Sequence, residues 1–583
     1  MVKGLIPGSN IELFDNYKSD YFQRLYRLSF LGDNTFQEET IQKLNSIKFI
    51  KRVERVYLFE ELSIKINEDS KSLTNDLFFP YLWGLKNSGQ TILRDLDDIH
   101  FETLVSASNA DIGWSEKIKD LMKEEVIVGV LDSGVDYDHP DLKDNIAKNL
   151  AECVNGAIPF KPKKDLDGNG YFGDCAGWNF TGRDVGGDNR PVDDIGHGTH
   201  VAGIIAAVSE NKIGVSGLSN KIKILPIKVL KKDDSTPGAN GSLSDRVAKG
   251  ILFAIKSKAK VINLSLGWPI ILDTFYLRQA FKTAIEKNIT IVAASGNNSN
   301  NSPIFPCAYE NVICVSSIGV DGKISNFSNY GGQVDVLAPG DNILSTYPTI
   351  KDPDLFFAKG YELKNGTSQA SPFVAASVAV LKSVYPGITE NEAKARLILS
   401  TKPTDFFGTE PEKYTSQGLI NLEEAINLKE QPLVIPILKE LNSISIDEIN
   451  QSFSLPLKIK NLWKDANNVK IKLTSLNGQF NIDKRDFEFS EIKEGQAETV
   501  NLIGTIDDLS QDHNFDFQIE ITQDEKTRIF KQNVKVVGTL GEKIKRVPIL
   551  GLSETDLIKK DPYLFPKIKT VSDPLNLAKN PYY

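Results

Sequence analysis

Val126-Ile-Val-Gly-Val-Leu-Asp132-Ser-Gly-Val135 is the stretch on which the fold turns. An unbroken apolar run rich in β-branched residues reads as a strand buried on both faces, and such strands belong to parallel sheets. Between about residues 77 and 430 similar runs recur at 126–131, 224–229, 261–266, 289–294 and 312–316. Helical periods fall between and after them, at 198–208, 245–256, 273–287 and 368–385. Strands alternating with helices imply an α/β domain, a parallel sheet sandwiched by helices. Open sheets of this kind carry their functional groups at the carboxyl ends of the strands. Asp132 stands at such an end.

Working outward, 583 residues with 40% hydrophobic and 9% aromatic content are enough for several cores. Residues 23–61 read as strand, helix, strand (23–30, 37–45, 53–60), followed by a polar linker at 67–75. After 430 the pattern changes to strands without helices, at 453–460, 468–474, 497–503, 515–521 and 531–537, which suggests an Ig-like β-sandwich of roughly 100 residues. The final stretch, with Pro548, Pro562, Pro566, Pro574 and Pro581 and no period, reads as an extended tail or a truncated segment. The expected organisation is therefore 1–76, 77–430, 431–540 and 541–583.

A net charge of −9 and a pI near 5.4, with no Lys/Arg cluster, argue against nucleic acid as a partner. No apolar stretch approaches about 18 residues, so no membrane span is expected. Met1–Asn10 lacks the apolar core of a secretory signal, so either export does not use that route or the chain begins after the signal. Four cysteines, Cys153, Cys175, Cys307 and Cys314, allow three pairings. The local pairs 153–175 and 307–314 are preferred, with four buried free thiols as the competing reading.

The chemistry enters with Asn365-Gly366-Thr367-Ser368-Gln369-Ala370-Ser371-Pro372, which sets a serine between a tight turn and an apolar helical run. A serine hydroxyl is a weak nucleophile and needs a base, itself held in one tautomer by an acid. Gly196-His197-Gly198-Thr199-His200-Val201-Ala202-Gly203 supplies the base, and the Asp132 block supplies the acid. A helix beginning at Ser368 would also favour the negative charge that acyl transfer develops.

Leu131-Asp132-Ser133-Gly134-Val135 with His139-Pro140-Asp141-Leu142, then the His197 block, then the Ser368 block, resemble the three signature blocks of the subtilisin-like serine proteases. The resemblance covers about 350 of the 583 residues. It implies a serine endopeptidase working through an acyl-enzyme, with Asp132, His197 and Ser368 as the triad. It assigns His200 and His139 to packing, and Asp136 and Asp138 to solvent. Ala293-Ala294-Ser295-Gly296-Asn297 is similar to the family's strand leading to an oxyanion-binding amide, which nominates Asn297. The likeness makes Ser265, Leu266 and Gly267 a substrate-pairing edge, and Ala293, Ala294, Ser295 and Gly296 the opposite wall of the first pocket. Binding is then strand addition. Trp268 replaces a usual small residue; there it is expected to narrow or cap that pocket, with a lean to apolar side chains.

Structural calcium is the cofactor that the resemblance implies. Asp141, Ser209, Asn211, Ile213 and Val215 resemble the family's tight site, with Lys212 pointing outward. Asn179, Asp188, Arg190 and Val192 resemble a second site. Asp165, Asp167 and Asn169 space oxygens like the start of a calcium loop, without its closing glutamate. Both later groups also read as plain Asp/Gly/Asn surface turns. The first unit resembles a propeptide, a partner of the enzyme until self-cleavage somewhere in 61–77, where no dibasic pair stands. Protein or peptide substrates, and a secreted or cell-envelope location, follow from the likeness. The competing functions are a dedicated maturase of one partner protein and a catalytically silent binding scaffold.

Overall fold

The computed structural model describes residues 10–13, 26–29, 74–96, 99–104, 110–160, 162, 164–182, 187–232, 243–269, 273–349, 358–402, 418–437, 445–447, 452–476, 480–506 and 513–536. The chain divides into two units, Met1–Lys71 and Ser72–Tyr583. In the first, Asn10–Leu13 pairs antiparallel with Tyr26–Ser29, the latter inside the strand expected at 23–30. The expected helix at 37–45, the strand at 53–60 and the tail at 541–583 lie outside the described residues.

The second unit is built on a seven-stranded parallel sheet. Its strands are β1 (Val126–Asp132), β2 (Trp178–Asn179), β3 (Ile222–Lys228), β4 (Val261–Leu264), β5 (Thr290–Ala294), β6 (Val312–Ile318) and β7 (Val336–Pro339). They lie in the order β7-β6-β5-β4-β1-β3-β2. The helices are α1 (His197–Ala206), α2 (Leu243–Lys256), α3 (Phe275–Glu286), α4 (Thr367–Val384) and α5 (Glu390–Leu399). Consecutive residues of a strand point to opposite faces. In β1, Leu131 packs on Gly250 of α2, while Asp132 packs on Gly198 of α1. Helices therefore cover both faces, as the alternation of runs implies.

The strand expected at 261–266 ends at Leu264, which leaves Ser265 and Leu266 free of the sheet. Edge strand β7 and the hairpin of β8 (Ile343–Thr346) with β9 (Tyr361–Lys364) carry too few residues to stand out by period. Apart from Ser368, α4 is buried along its length, so its many small residues are what let it lie against the sheet. Among the described residues no helix is long and apolar enough to cross a membrane.

Beyond the α/β region, two antiparallel sheets face each other. One contains β10 (Val434–Pro436), β12 (Ser452–Asn461), β16 (Ala497–Ile506) and β14 (Phe480–Ile482), with β11 (Ser445–Asp447) also on β12. The other is ordered β15 (Asp486–Ile492), β13 (Ala466–Ser475), β17 (His513–Gln523), β18 (Lys526–Val536). Phe453 and Phe480 from one sheet meet Phe515 from the other. Against the α/β part, Lys458 and Lys460 of β12 grip Glu310 at 2.6 and 2.7 Å. Arg396 of α5 stacks on Trp463, its guanidinium 4.5 Å from the ring centre. Disulfides join Cys153 to Cys175 and Cys307 to Cys314, the preferred local pairs.

Candidate active site

Asp132 ends β1 fully buried, and its Oδ1 lies 2.7 Å from His197 Nδ1 at the start of α1. The strand and the helix can come this close because residue 198 is glycine: a Cβ there would stand 2.1 Å from the Gly134 carbonyl. Asp132 Oδ1 also accepts the Ser133 N–H at 2.7 Å, while its buried Oδ2 has no partner among the described residues. Burial opposes charging the His197 ring, but the Asp132 carboxylate outweighs it, and the imidazole pKa rises above the ordinary 6.5. His200, held by burial and by Lys364 well below 6.5, stays neutral and donates from Nε2 to the Ile343 and Glu362 carbonyls. His139 is likewise packed, between the Asp141 N–H and the Gly360 carbonyl. Asp138 is exposed, whereas Asp136 is half-buried and anchors the Thr349 N–H and hydroxyl. Solvation does not describe Asp136.

Ser368 sits in the first turn of α4. A proline in a helix cannot donate to the carbonyl four residues back. Pro372 therefore leaves the Ser368 carbonyl open, and the Ser265 hydroxyl bonds it at 2.8 Å. In return the Ser368 hydroxyl donates to the Ser265 carbonyl at 3.0 Å rather than to His197. Such bonds are commonly formed only when substrate is present. Asn297 Oδ1 accepts both the N–H and the hydroxyl of Thr367, each at 2.9 Å. With its oxygen pinned, the exposed Asn297 amide turns its NH2 group to the space beside Gly366, where a Cβ would lie 3.4 Å from Nδ2.

Segments 265–267 and 293–296, expected as the substrate-pairing edge and the pocket wall, both run to the start of α4. Ser265 is buried, Leu266 half-buried and Gly267 exposed, so the segment surfaces as it passes Ser368. Ala293 and Ala294 close β5, Ser295 bonds Ser316 at 2.9 Å, and the Gly296 N–H reaches Thr367 Oγ1 at 3.1 Å. Trp268 departs from expectation. Its ring is 3% exposed and packs on Phe281 of α3, so it belongs to the core and does not cap the pocket.

Asp193, which the motif reading passed over, organises the acid–base side. Fully buried, it accepts the N–H groups of Ile195, Gly196 and Thr199, the Thr199 hydroxyl and the Ser133 hydroxyl. Ser133 in turn accepts the Gly198 N–H at 2.9 Å, which joins the aspartate and histidine blocks. Its signal in the sequence is a carboxylate shortly before a helix start, the place where such groups cap free N–H donors.

Of the calcium candidates, the Asp141 group gathers best. Asp141 receives the Asn211 amide at 2.6 Å and the Val215 N–H at 2.9 Å, and Lys212 is exposed as expected. Burial pushes its carboxyl up to about 7, and buried Asp76, also missed by the motif reading, adds to that shift. Asp76 holds the Glu210 and Asn211 N–H groups at 3.0 Å. Two enclosed carboxylates whose bonded partners among the described residues are all neutral donors suit a divalent cation, provided Asn211 turns its oxygen inward. The Ser209 carbonyl already accepts from Asn220 at 2.9 Å, and Ile213 is exposed. Asp165 and Asp167 assemble instead with Glu152, their ligand oxygens within 4.8 Å of one another, and Asn169 adjoins Asp167. In the third group, Asn179 and Asp188 pair through backbone and side chain, and the Arg190 N–H donates to Asp188. The Val192 carbonyl faces Gly134 instead.

The family model described as "Subtilase family" matches residues 123–421. The major intracellular serine protease of Bacillus subtilis (strain 168) is 34% identical over 307 residues, 51% of this chain and 81% of its own length. Thermitase of Thermoactinomyces vulgaris is 34% identical over 299 residues, 51% of this chain and 88% of that protein. The cell wall-associated protease of Bacillus subtilis (strain 168) is 32% identical over 385 residues, which is 65% of this chain but only 35% of its relative. Among solved structures, a protease from Pseudoalteromonas arctica superposes with a TM-score of 0.46 at 25% identity, over 61% of this chain and 99% of that one.

Proposed function

We propose, on the premise that the chain belongs to the subtilase family and that residues 123–421 form its serine-type endopeptidase domain, that the whole protein hydrolyses peptide bonds through an acyl-enzyme. Ser368 attacks the scissile carbonyl, His197 takes its proton and passes it to the leaving amine, and Asp132 steadies the imidazolium. Asn297 Nδ2 and the Ser368 N–H receive the oxyanion. The observation that carries this reading is the 2.7 Å bond between buried Asp132 and His197, on a strand and a helix that both pack against α4, the helix that carries Ser368. Calcium, held by Asp141, Asp76, Asn211 and carbonyls of the 209–215 loop, would fasten that loop to the start of the second unit.

The first 76 residues are read as a propeptide, and Met1–Lys71 of them form a unit of their own. Asn75 and Asp76 hold the N–H groups of residues 210–212, which favours a cut ahead of Asn75 within the 61–77 stretch. Two disulfides favour an oxidising compartment, outside the cell or in its envelope.

A serine-selective fluorophosphonate tests the assignment. The purified, processed protein is expected to be labelled and Ser368→Ala to remain blank. Labelling of both to the same extent overturns it. The rate of labelling is expected to fall as pH drops through a value above 6.5, because the raised His197 pKa leaves less neutral base. His200, neutral throughout, does not contribute to that profile.

A further inference from the structure

The two walls beside Ser368 end in glycines that face one side chain. A Cβ on Gly267 would lie 2.6 Å from Ile304 Cγ2, and a Cβ on Gly296 would lie 2.6 Å from Ile304 Cδ1. One isoleucine therefore touches both walls at once, and its bulk stands in the slot that the two glycines leave open.

Ile304 is not free to leave. Its N–H donates to Gln333 Oε1 at 3.2 Å and its carbonyl accepts from the Ala308 N–H at 2.9 Å. The next residue, Phe305, exchanges both backbone bonds with Trp268, at 2.7 and 2.9 Å, and so ties the Ile304 segment to the wall that ends in Gly267. Trp268 and Phe305 are themselves buried, against Phe281 and Tyr309. The β-branched side chain has few alternative rotamers. A substrate side chain that enters between the two glycines meets Ile304, and close-packed surroundings accept extra methylenes badly.

We infer that Ile304 closes the first side-chain pocket, so that the enzyme prefers Gly, Ala or Ser immediately before the scissile bond. The inference rests on the acyl-enzyme reading and deepens it by naming the substrate class.

The test uses the processed protein and acyl-tetrapeptide p-nitroanilides that differ only in the last residue, Ala or Phe, with active sites titrated by the fluorophosphonate. The wild type is expected to favour Ala over Phe in kcat/KM by about 10- to 200-fold. In Ile304→Gly the Phe-to-Ala ratio is expected to rise at least tenfold, and in Ile304→Val, which barely disturbs packing, by roughly two- to fivefold. A wild type that cuts Phe as well as Ala, or a ratio unmoved in both variants, overturns the inference while leaving the nucleophile assignment standing. A wild type that neither labels nor cleaves either peptide overturns the acyl-enzyme reading, and the pocket with it. Should Ile304→Gly fail to label, the wild-type preference and Ile304→Val decide.

Discussion

On one side of Ser368 the chain sets two buried carboxylates, Asp132 and Asp193, the first held through Oδ1 by N–H groups and the second by N–H and O–H groups. On the other it sets two glycines and an isoleucine. The acid–base side works by electrostatics. Donors and charges held in place before reaction need no rearrangement during it, and only a few residue types can fill those roles. The pocket side works by shape. Any apolar side chain of suitable size can close a slot, so such a position can change without disturbing the chemistry.

The largest effect that separates the two sides is expected at their meeting point, Asn297. In the proposed mechanism Asn297→Ala removes one oxyanion donor, and it should then lower kcat by about 10²–10³-fold with little change in KM. Because the group serves every substrate alike, the Phe-to-Ala ratio should not move. A shift in that ratio would mean that the two sides are not separable. Next, Asp193→Asn loosens the start of α1 without touching substrate. A fall in kcat of about tenfold or more, with selectivity kept and melting temperature lowered, is expected, because five accepted bonds at a buried carboxylate are disturbed. Retained kcat would show that Ser133 alone suffices to join the two blocks.

The smallest effect sharpens the pocket side. Desolvation of Glu310 is outweighed by Lys460 and Lys458, so its carboxyl titrates below the ordinary 4.5. A depressed carboxylate pKa stabilises the fold above that ordinary value, and the contribution is lost as pH falls through the folded one. Glu310→Gln is therefore expected to cost about 1–3 kcal/mol in urea unfolding at pH 7, and progressively less below pH of about 4. A pH-independent cost would assign the effect to packing instead of charge.

How much of this was legible beforehand follows the same division. The blocks around Asp132, His197 and Ser368 stood out because the chemistry admits few alternatives and the glycines beside them are demanded by close approach. The strands at 126–131, 224–229, 289–294 and 312–316 were visible as apolar runs, since both faces are covered. The short pieces β7, β10, β11 and β14 were not, because a few residues show no period. Asp193 and Asp76 were missed because a capping or loop-holding carboxylate looks like any surface acid until its N–H partners are known. Trp268 misled for a related reason: its position in the chain is beside the pocket, but direction is not written in a sequence, and its ring turns into the core. Ile304, a lone aliphatic in a loop, carried no signal.

Glu310 lies inside the loop closed by Cys307 and Cys314, a few residues past Ile304, and the lysines that hold it come from the β-sandwich. The sandwich is thus a neighbour of the selectivity pocket on the far side of a cross-linked loop. Modules appended to enzymes are usually regarded as cargo, exchangeable without consequence for what the enzyme cuts. Here the appended module grips the loop that follows Ile304, so exchanging it would change what braces the pocket inferred above.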